Sequence, residues 1–545
     1  MSPPMPDSRV TGAAAAAPPG YIPSTLRELL CESDRFVTAA ELVTSRGLIT
    51  EQSGKHLLRL ARELAENPRI DALSITDNPG GNAMLSPDTV GTDLIYRGQE
   101  VIIHLSCKDW NRNALQSRAW KLSSEGFHNV LALSGDYPIA GYEGVAAPVF
   151  DTDSVGLLRM LEDMNEGKVG AQRGGELPER TRFFLGAVVT NHKRHEREVM
   201  PQYFKLRKKI ENGARFVINQ VGYHARKDDE LLRWMKVHGL SVPVIANVFV
   251  LTPGVARVFN AGRIPGVVVT DELLALVEHH AASPDKGRGF FLDLAARQIV
   301  VARGLGFRGA YIGGHLSVEE YDDVLDRAAA LELDDWRAIA REIRFSCPDQ
   351  FHYFEEDAET GLSSDVVSAS YLESRRRRDT DLRVPWRYRF SRRVHAAVFG
   401  DDAPLNGAGR ALYGAVERGP RPIGTALHLV EQAGKASMFG CRDCGDCSLP
   451  EIAYLCPESQ CAKNQRNGPC GGTRDGVCEV GDKQCIWALA YERLKKYGEE
   501  ETMLEGPVVI KDNSLRGTSA WANAFLRRDH QAKQHEASSS AEGTR

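Results

Sequence analysis

The sequence predicts an α/β fold, a (β/α)8 TIM barrel followed by a mainly helical, cysteine-rich domain. Three observations lead there. Between about Phe36 and Ala330, eight short apolar runs alternate with amphipathic stretches, the pattern of parallel strands joined by helical crossovers. Polar residues recur just after successive runs, where a barrel collects its functional side chains. Finally, eight of the eleven cysteines lie between Cys441 and Cys485, too dense for ordinary core residues. A doubly wound open sheet shares the alternation, but eight strands in about 300 residues fit the barrel better.

The expected strands are Phe36–Leu42, Asp71–Ile75, Val101–Leu105, Asn129–Leu133, Arg182–Val189, Arg215–Asn219, Val242–Ala246 and Gly309–Ile312. Leu57, Leu60, Ala61 and Leu64 fall on one helical face. Further helices are expected at 111–125, 152–167, 197–212, 226–239 and 317–330. After the strands stand Thr76-Asp77-Asn78, His104 with Cys107, Ser134-Gly135-Asp136, Asn191-His192 and Gln220. Any one of these reads as a turn or cap residue. Repeated at the same end of successive strands, they build a site. Glu41 ends the first strand in apolar surroundings, where desolvation raises a carboxyl pKa as a general acid requires; a structural acid paired with a cation at the barrel mouth is the alternative.

The expected division is a disordered tail over 1–22, the barrel over 23–335, a helical connector over 336–440, a cysteine module over 441–500 and an extension over 501–545, disordered from about Asp529. Arg375–Arg378 reads as a solvated face or a partner contact. An amphipathic helix is expected around Trp487–Tyr497. The 68 basic and 73 acidic residues give a net charge of −5, which offers no reason to expect nucleic acid. The first twenty residues lack a signal-peptide pattern, and the longest apolar run, Val242–Leu251, is half a membrane span. A cytoplasmic protein with no membrane partner is expected, and in that reducing compartment disulfides are disfavoured.

The cysteines read C-x2-C-x2-C-x8-C-x4-C-x8-C-x7-C-x6-C, from Cys441, Cys444 and Cys447 through Cys456, Cys461, Cys470 and Cys478 to Cys485. The opening triplet can cap three corners of an iron–sulfur cube, and Cys456-Pro457 resembles the remote ligand of bacterial ferredoxins. Eight thiolates make one or two [4Fe-4S] clusters possible; zinc and disulfides are the alternatives. Order alone does not say which cysteines group together. The literal G-x-G-x-x-G at Gly304, Gly306 and Gly309 closes a helix and precedes a strand, the reverse of the dinucleotide-binding context. His192 and His195 have no third ligand nearby in sequence and read as a basic loop.

At these residues the sequence resembles methylenetetrahydrofolate reductase. The matching pieces are Glu41, Ser74-Ile-Thr76, His104-Leu-Ser-Cys107 with Asp109 and Arg112, Asn129-Val-Leu-Ala-Leu-Ser-Gly-Asp136, and the stretch from Lys208 to Gln220. Cys441-Arg-Asp-Cys-Gly-Asp-Cys and Arg466-Asn-Gly-Pro-Cys-Gly-Gly472 resemble the cysteine-rich domain of acetogen-type and other bacterial reductases. The resemblance implies a flavin, FAD or FMN, across the barrel mouth, with Thr76, His104, Ser134, Gly135, Asp136, Lys205 and Lys209 as its contacts. It implies that Glu41 protonates N10 of 5,10-methylenetetrahydrofolate and that flavin N5 delivers hydride, giving 5-methyltetrahydrofolate. Asp136 would hold the pterin and influence the flavin's electronics, and Gln220 would bind the folate. Ser134 stands where many relatives carry Arg, and Ala246-Asn-Val-Phe replaces a Gly- and Pro-containing turn; both flavins stay open. Electrons from NAD(P)H, or from ferredoxin or another electron-transfer subunit through the clusters, and a homo-oligomeric state complete the expectation. Two other readings compete: a non-catalytic flavin/iron–sulfur electron-transfer subunit, or a folate-binding methyltransferase barrel with a structural zinc domain.

Overall fold

The computed structural model describes residues 26–532 except 140, 171–177, 381 and 401. The expected tail over 1–22 and the last residues, 533–545, lie outside the described residues. Eight parallel strands close into a barrel in chain order. They are β1 (Val37–Leu42), β2 (Ala72–Ile75), β3 (Glu100–Ser106), β4 (Asn129–Leu133), β5 (Phe184–Val189), β6 (Phe216–Asn219), β7 (Val244–Phe249) and β8 (Gly309–Gly313). Closure is made by β1 pairing β8, with Val37 opposite Gly309 and Ala40 opposite Ile312. Each expected strand is present; Asn129–Leu133 is unchanged and no end moves by more than three residues.

The strands are buried on both faces, which is why they read as unbroken apolar runs. Inside the barrel, Ala39, Ala72, Ile102, Leu131, Phe184, Phe216, Ile218 and Ile245 fill the lower layers. The Phe184 and Phe216 rings stack with centroids 5.0 Å apart. Gly186 makes room for them: a Cβ there would sit 2.2 Å from the Phe216 ring. A short helix, Leu26–Cys31, plugs the N-terminal end with Leu26 and Leu30. Only the C-terminal mouth is left for chemistry.

Outside, Leu57, Ala61 and Leu64 of the helix Gln52–Ala65 pack inward. Side-chain caps start several crossovers, among them Asn111, Asp153 and the Ser317/Glu320 capping box. Three helices between β7 and β8, Pro253–Asn260, Asp271–Ala281 and Arg288–Leu305, were not separately expected. Gly306 ends the last of these at φ +101° and β8 begins at Gly309. The glycine triplet therefore runs from helix to strand, as its context implied.

The region after the barrel is mainly helical, with one antiparallel hairpin, Phe354–Glu356 with Ser363–Val367, inside the connector. The expected module helix spans Ile486–Lys495. It is not a separate body. Trp487, Tyr491 and Leu494 join Tyr203, Phe204 and Trp234 of the barrel helices in one apolar core. The expectation of disorder from Asp529 fails for 529–532. His530 is buried between the carboxylates of Asp446 and Glu451, so a polar-looking tail is ordered by two buried ion pairs. Among the described residues, no helix is long and apolar enough to cross a membrane.

Candidate active site and cysteine module

The mouth has two unlike sides. On the β8–β1–β2–β3 side, buried polar groups form a chain. The Tyr311 hydroxyl donates to Glu41 Oε1 at 3.0 Å, and Tyr321 donates to the Glu41 carbonyl at 3.3 Å. Ser74 Oγ lies 2.9 Å from His104 Nε2 and also reaches Tyr311. Burial raises the Glu41 pKa above the ordinary carboxyl value, and the Tyr311 hydrogen bond only partly offsets this. Burial pushes His104 down to about 4, so its imidazole is neutral near pH 7. Gly313 keeps the Glu41 carboxyl unobstructed, since a Cβ there would lie 2.7 Å from Oε2. A half-buried carboxyl hydrogen-bonded by one hydroxyl, among buried neighbours, is equipped to hold a proton.

On the β4–β5–β6 side, the mouth is covered by the cysteine module. Ser134 Oγ donates to Gln465 Oε1 at 3.0 Å. Lys205 Nζ donates to the same oxygen at 2.9 Å and to the Gly468 carbonyl at 3.0 Å. Lys463 Nζ donates to the Gly135 carbonyl at 2.8 Å. Asp153, at the start of the helix after β4, accepts from the amides of Arg466 and Asn467 and from the Asn467 side chain. Burial opposes ionisation of Asp153, but Lys205 and these donors win and hold its pKa low. The segment from Lys463 to Gly468 is thus laced to the end of β4 and to the helices that follow β4 and β5.

The remaining expected residues are distributed between these sides. Thr76 is buried, and its hydroxyl donates to the Leu42 carbonyl at 3.4 Å, tying β2 to the end of β1. Asp136 is half-buried and accepts from the Gly80 amide at 2.6 Å. Gln220 Oε1 accepts from the Val221 amide at 2.9 Å. Its amide end borders Gly266, which in turn backs onto the Gly471 carbonyl. Lys209 Nζ donates to the Val188 carbonyl at 2.6 Å. Burial, and next the charge of Lys205, push its pKa down to about 7. His192 and His195 face different carboxylates, Asp228 and Asp475, each near 3 Å. Sequence reading missed Tyr311, Lys463 and Gln465. Tyr311 was hidden inside an apolar run, and the other two lie in a loop whose position the sequence does not reveal.

All eleven cysteines are free thiols among the described residues. The eight module cysteines fall into two groups of four. Cys441, Cys444, Cys447 and Cys456 line one small cavity together with Lys435 and Arg466. Cys461, Cys470, Cys478 and Cys485 lie close enough to raise one another's pKa. Burial raises the pKa of Cys447 and Cys461 to about 12, where an isolated thiol stays protonated. Lys435 stands by the first group, and Lys463 and Lys193 by the second; these cations favour thiolate formation. Among the described residues no three His, Cys, Asp or Glu side chains close to the geometry of a single metal ion. Cys456 and Cys461 are joined by the one-turn helix Pro457–Gln460, so their Cα atoms lie within about 17 Å at full extension.

A fold of parallel strands closed into a barrel, with a half-buried carboxyl at its mouth and a fused module of eight cysteines, defines the class. The family model described as methylenetetrahydrofolate reductase matches residues 31–299. A second, described as methylene-tetrahydrofolate reductase C terminal, matches residues 422–514. The chain belongs to the methylenetetrahydrofolate reductase family. None of the curated proteins matches it. Among solved structures, an uncharacterised protein from Clostridium thermocellum, described as binding two copies of 5-methyl-5,6,7,8-tetrahydrofolic acid, is 12% identical. That match covers 55% of this chain and 96% of the other, with a TM-score of 0.38. A 2,3-dimethylmalate lyase of the PEP mutase/isocitrate lyase superfamily is 12% identical over 56% and 84% of the two chains, with a TM-score of 0.32. Scores this low carry no argument about the site.

Proposed function

We propose that the protein is a flavin-dependent methylenetetrahydrofolate reductase whose reducing electrons pass through iron–sulfur clusters in the module. The observation that carries this reading is the double grip of Lys205 on Gln465 and Gly468. It fastens the segment between Cys461 and Cys470 to the helix after β5, and Ser134 ties the same Gln465 to the end of β4.

The residues present fit an anionic flavin. Lys209 is a buried amine hydrogen-bonded to a neutral carbonyl, a setting in which a phosphate would favour its charged form. Thr76, His104, Ser134, Gly135, Asp136 and Lys205 surround the same opening and would complete the contacts. The bound flavin supplies the hydride that reduces the methylene carbon. Glu41 holds the proton destined for N10 of 5,10-methylenetetrahydrofolate, and Tyr311 fixes the direction of its carboxyl. Neutral His104, hydrogen-bonded to Ser74, offers no competing positive charge beside that acid. Asp136 and Gln220 orient the pterin. The two groups of four cysteines support two [4Fe-4S] clusters, with Cys441, Cys444, Cys447 and Cys456 on one and Cys461, Cys470, Cys478 and Cys485 on the other.

Glu41→Gln tests the acid. Turnover of methylenetetrahydrofolate should fall by roughly 10²–10⁴-fold, the scale of a lost general acid, with flavin and iron content unchanged. Unaltered turnover removes Glu41 from the reaction.

A further inference from the structure

Nine arginines lie between Arg375 and Arg393, against only Asp379 and Asp381, in a chain whose net charge is −5. Some are neutralised: Arg375 by Glu500 and Glu501, Arg377 by Glu373, and Arg392 by Glu499. Arg383, Arg389 and Arg393 have no ion-pair partner among the described residues and are exposed. The helix Trp386–Val398 carries four of the nine, Arg389 and Arg393 among them. It buries Tyr388 and Ser391 and leaves Trp386 61% and Phe390 51% exposed. Trp386, Arg389, Phe390 and Arg393 follow i, i+3, i+4, i+7 spacing and share one face. A folded chain does not ordinarily leave a tryptophan and a phenylalanine side by side in water.

The buried face of the same helix is bolted to the first cysteine group. The Tyr388 ring packs 5.7 Å from both Tyr454 and Tyr497, and Tyr454 is two residues from Cys456. Arg387 donates to the Met438 carbonyl at 3.4 Å, three residues before Cys441. The exposed stripe is thus the outward side of the wall that holds Cys441 and Cys456. The second group flanks the segment bonded to the barrel through Lys205 and Gly135.

We propose that the stripe Trp386, Arg389, Phe390 and Arg393, flanked by Arg383 and Arg387, is the docking surface for a small acidic one-electron carrier protein that reduces the centre held by Cys441, Cys444, Cys447 and Cys456. This rests on the reading of those cysteines as iron–sulfur ligands. The charge selects the partner, since an acidic carrier is steered to an arginine field and repelled by the acidic remainder of the chain. The composition selects a protein over a membrane. A helix lying in a bilayer segregates its apolar and charged residues to opposite faces. Here arginine and aromatic residues interleave on one face, as at the centre of protein interfaces. Each encounter oxidises the carrier by one electron and reduces this chain by one. Two encounters and two protons convert one methylenetetrahydrofolate to methyltetrahydrofolate, one proton entering at N10 and one leaving with the electron pair as hydride.

The test uses the full chain, purified without oxygen and assayed for iron and acid-labile sulfide, titrated calorimetrically with a purified acidic bacterial ferredoxin. Binding should weaken by at least about tenfold between low and moderate salt, as expected for charge-steered association. It should weaken by at least about tenfold in Arg389→Glu/Arg393→Glu, and separately in Trp386→Ala, the scale of a lost interface anchor. Iron content and turnover driven by dithionite should not change in either variant. Absence of binding, or equal binding by wild type and both variants, overturns the proposal. So does binding of phosphatidylglycerol vesicles or duplex DNA, in place of the ferredoxin, that the variants lose. Wild-type protein that contains no iron and sulfide strikes the cluster reading itself, which separates the two failures.

Discussion

The two sides of the barrel mouth are built by different means. The Glu41 side belongs wholly to the barrel: Glu41, Ser74, His104 and Tyr311 come from β1, β2, β3 and β8. The opposite side is imported, with Gln465, Lys463 and Gly468 of the module bonded to Ser134, Gly135 and Lys205. Proton handling needs a dry, rigid carboxyl, which a closed barrel provides. Electron delivery needs a redox centre close to the cofactor, which a barrel of parallel strands does not itself contain. The difference teaches that the module forms part of the wall of the mouth rather than an appendage.

The sharpest way to break the comparison is to remove one thiolate from each cysteine group. Cys470→Ser and Cys444→Ser should each lower iron and sulfide by about half, one of two four-iron clusters. Only Cys470→Ser should also lower the flavin content, because its group sits in the loop that closes the mouth. Carrier-driven turnover should be lost in both. Iron and sulfide analysis beside the flavin spectrum checks this, and equal flavin loss in the two variants would refute the division into mouth and outer groups.

A second test acts on the seam. Trp487 is buried in the core shared by barrel and module, and its Nε1 donates to the Gln465 carbonyl at 3.1 Å. Trp487→Ala should cost about 3–5 kcal/mol, the usual penalty for emptying a buried aromatic site. Denaturant unfolding should show one cooperative transition shifted to lower denaturant. Two separate transitions in the wild-type protein would mean that the halves are not one body.

These contacts mark where sequence reading stops. The strands were legible because burial on both faces leaves unbroken apolar runs such as Asn129–Leu133. The polar mouth residues were legible because they recur at strand ends, and Glu41 because a lone carboxylate ends an apolar run. Tyr311 was not, since a tyrosine inside a β8 run reads as core. The grouping of cysteines was not, because near-equal intervals of eight, seven and six residues fit several partitions. The cover over the mouth joins residues 260 and 331 positions apart, and no local pattern encodes that. His530 was misread because a short polar segment looks disordered unless the carboxylates awaiting it, Asp446 and Glu451, are seen in space.

The smallest effect concerns the barrel's own side and its pH dependence. Burial lowers the His104 pKa from 6.5 to about 4, so between those values the unfolded chain binds a proton that the folded chain refuses. Unfolding therefore becomes easier as pH falls from about 6.5 to about 4, and the penalty is complete below the folded value. The full difference amounts to about 3 kcal/mol at about 1.4 kcal/mol per pH unit. His104→Gln, which can still hydrogen-bond Ser74, should flatten that part of the acid limb. Above pH 7 the variant should match the wild type to within the small cost of reshaping the Ser74 contact. Urea midpoints measured from pH 7 to pH 4 check this. An acid limb unchanged in His104→Gln would mean that His104 takes up its proton in the folded state, and that the Glu41 side of the mouth is wet.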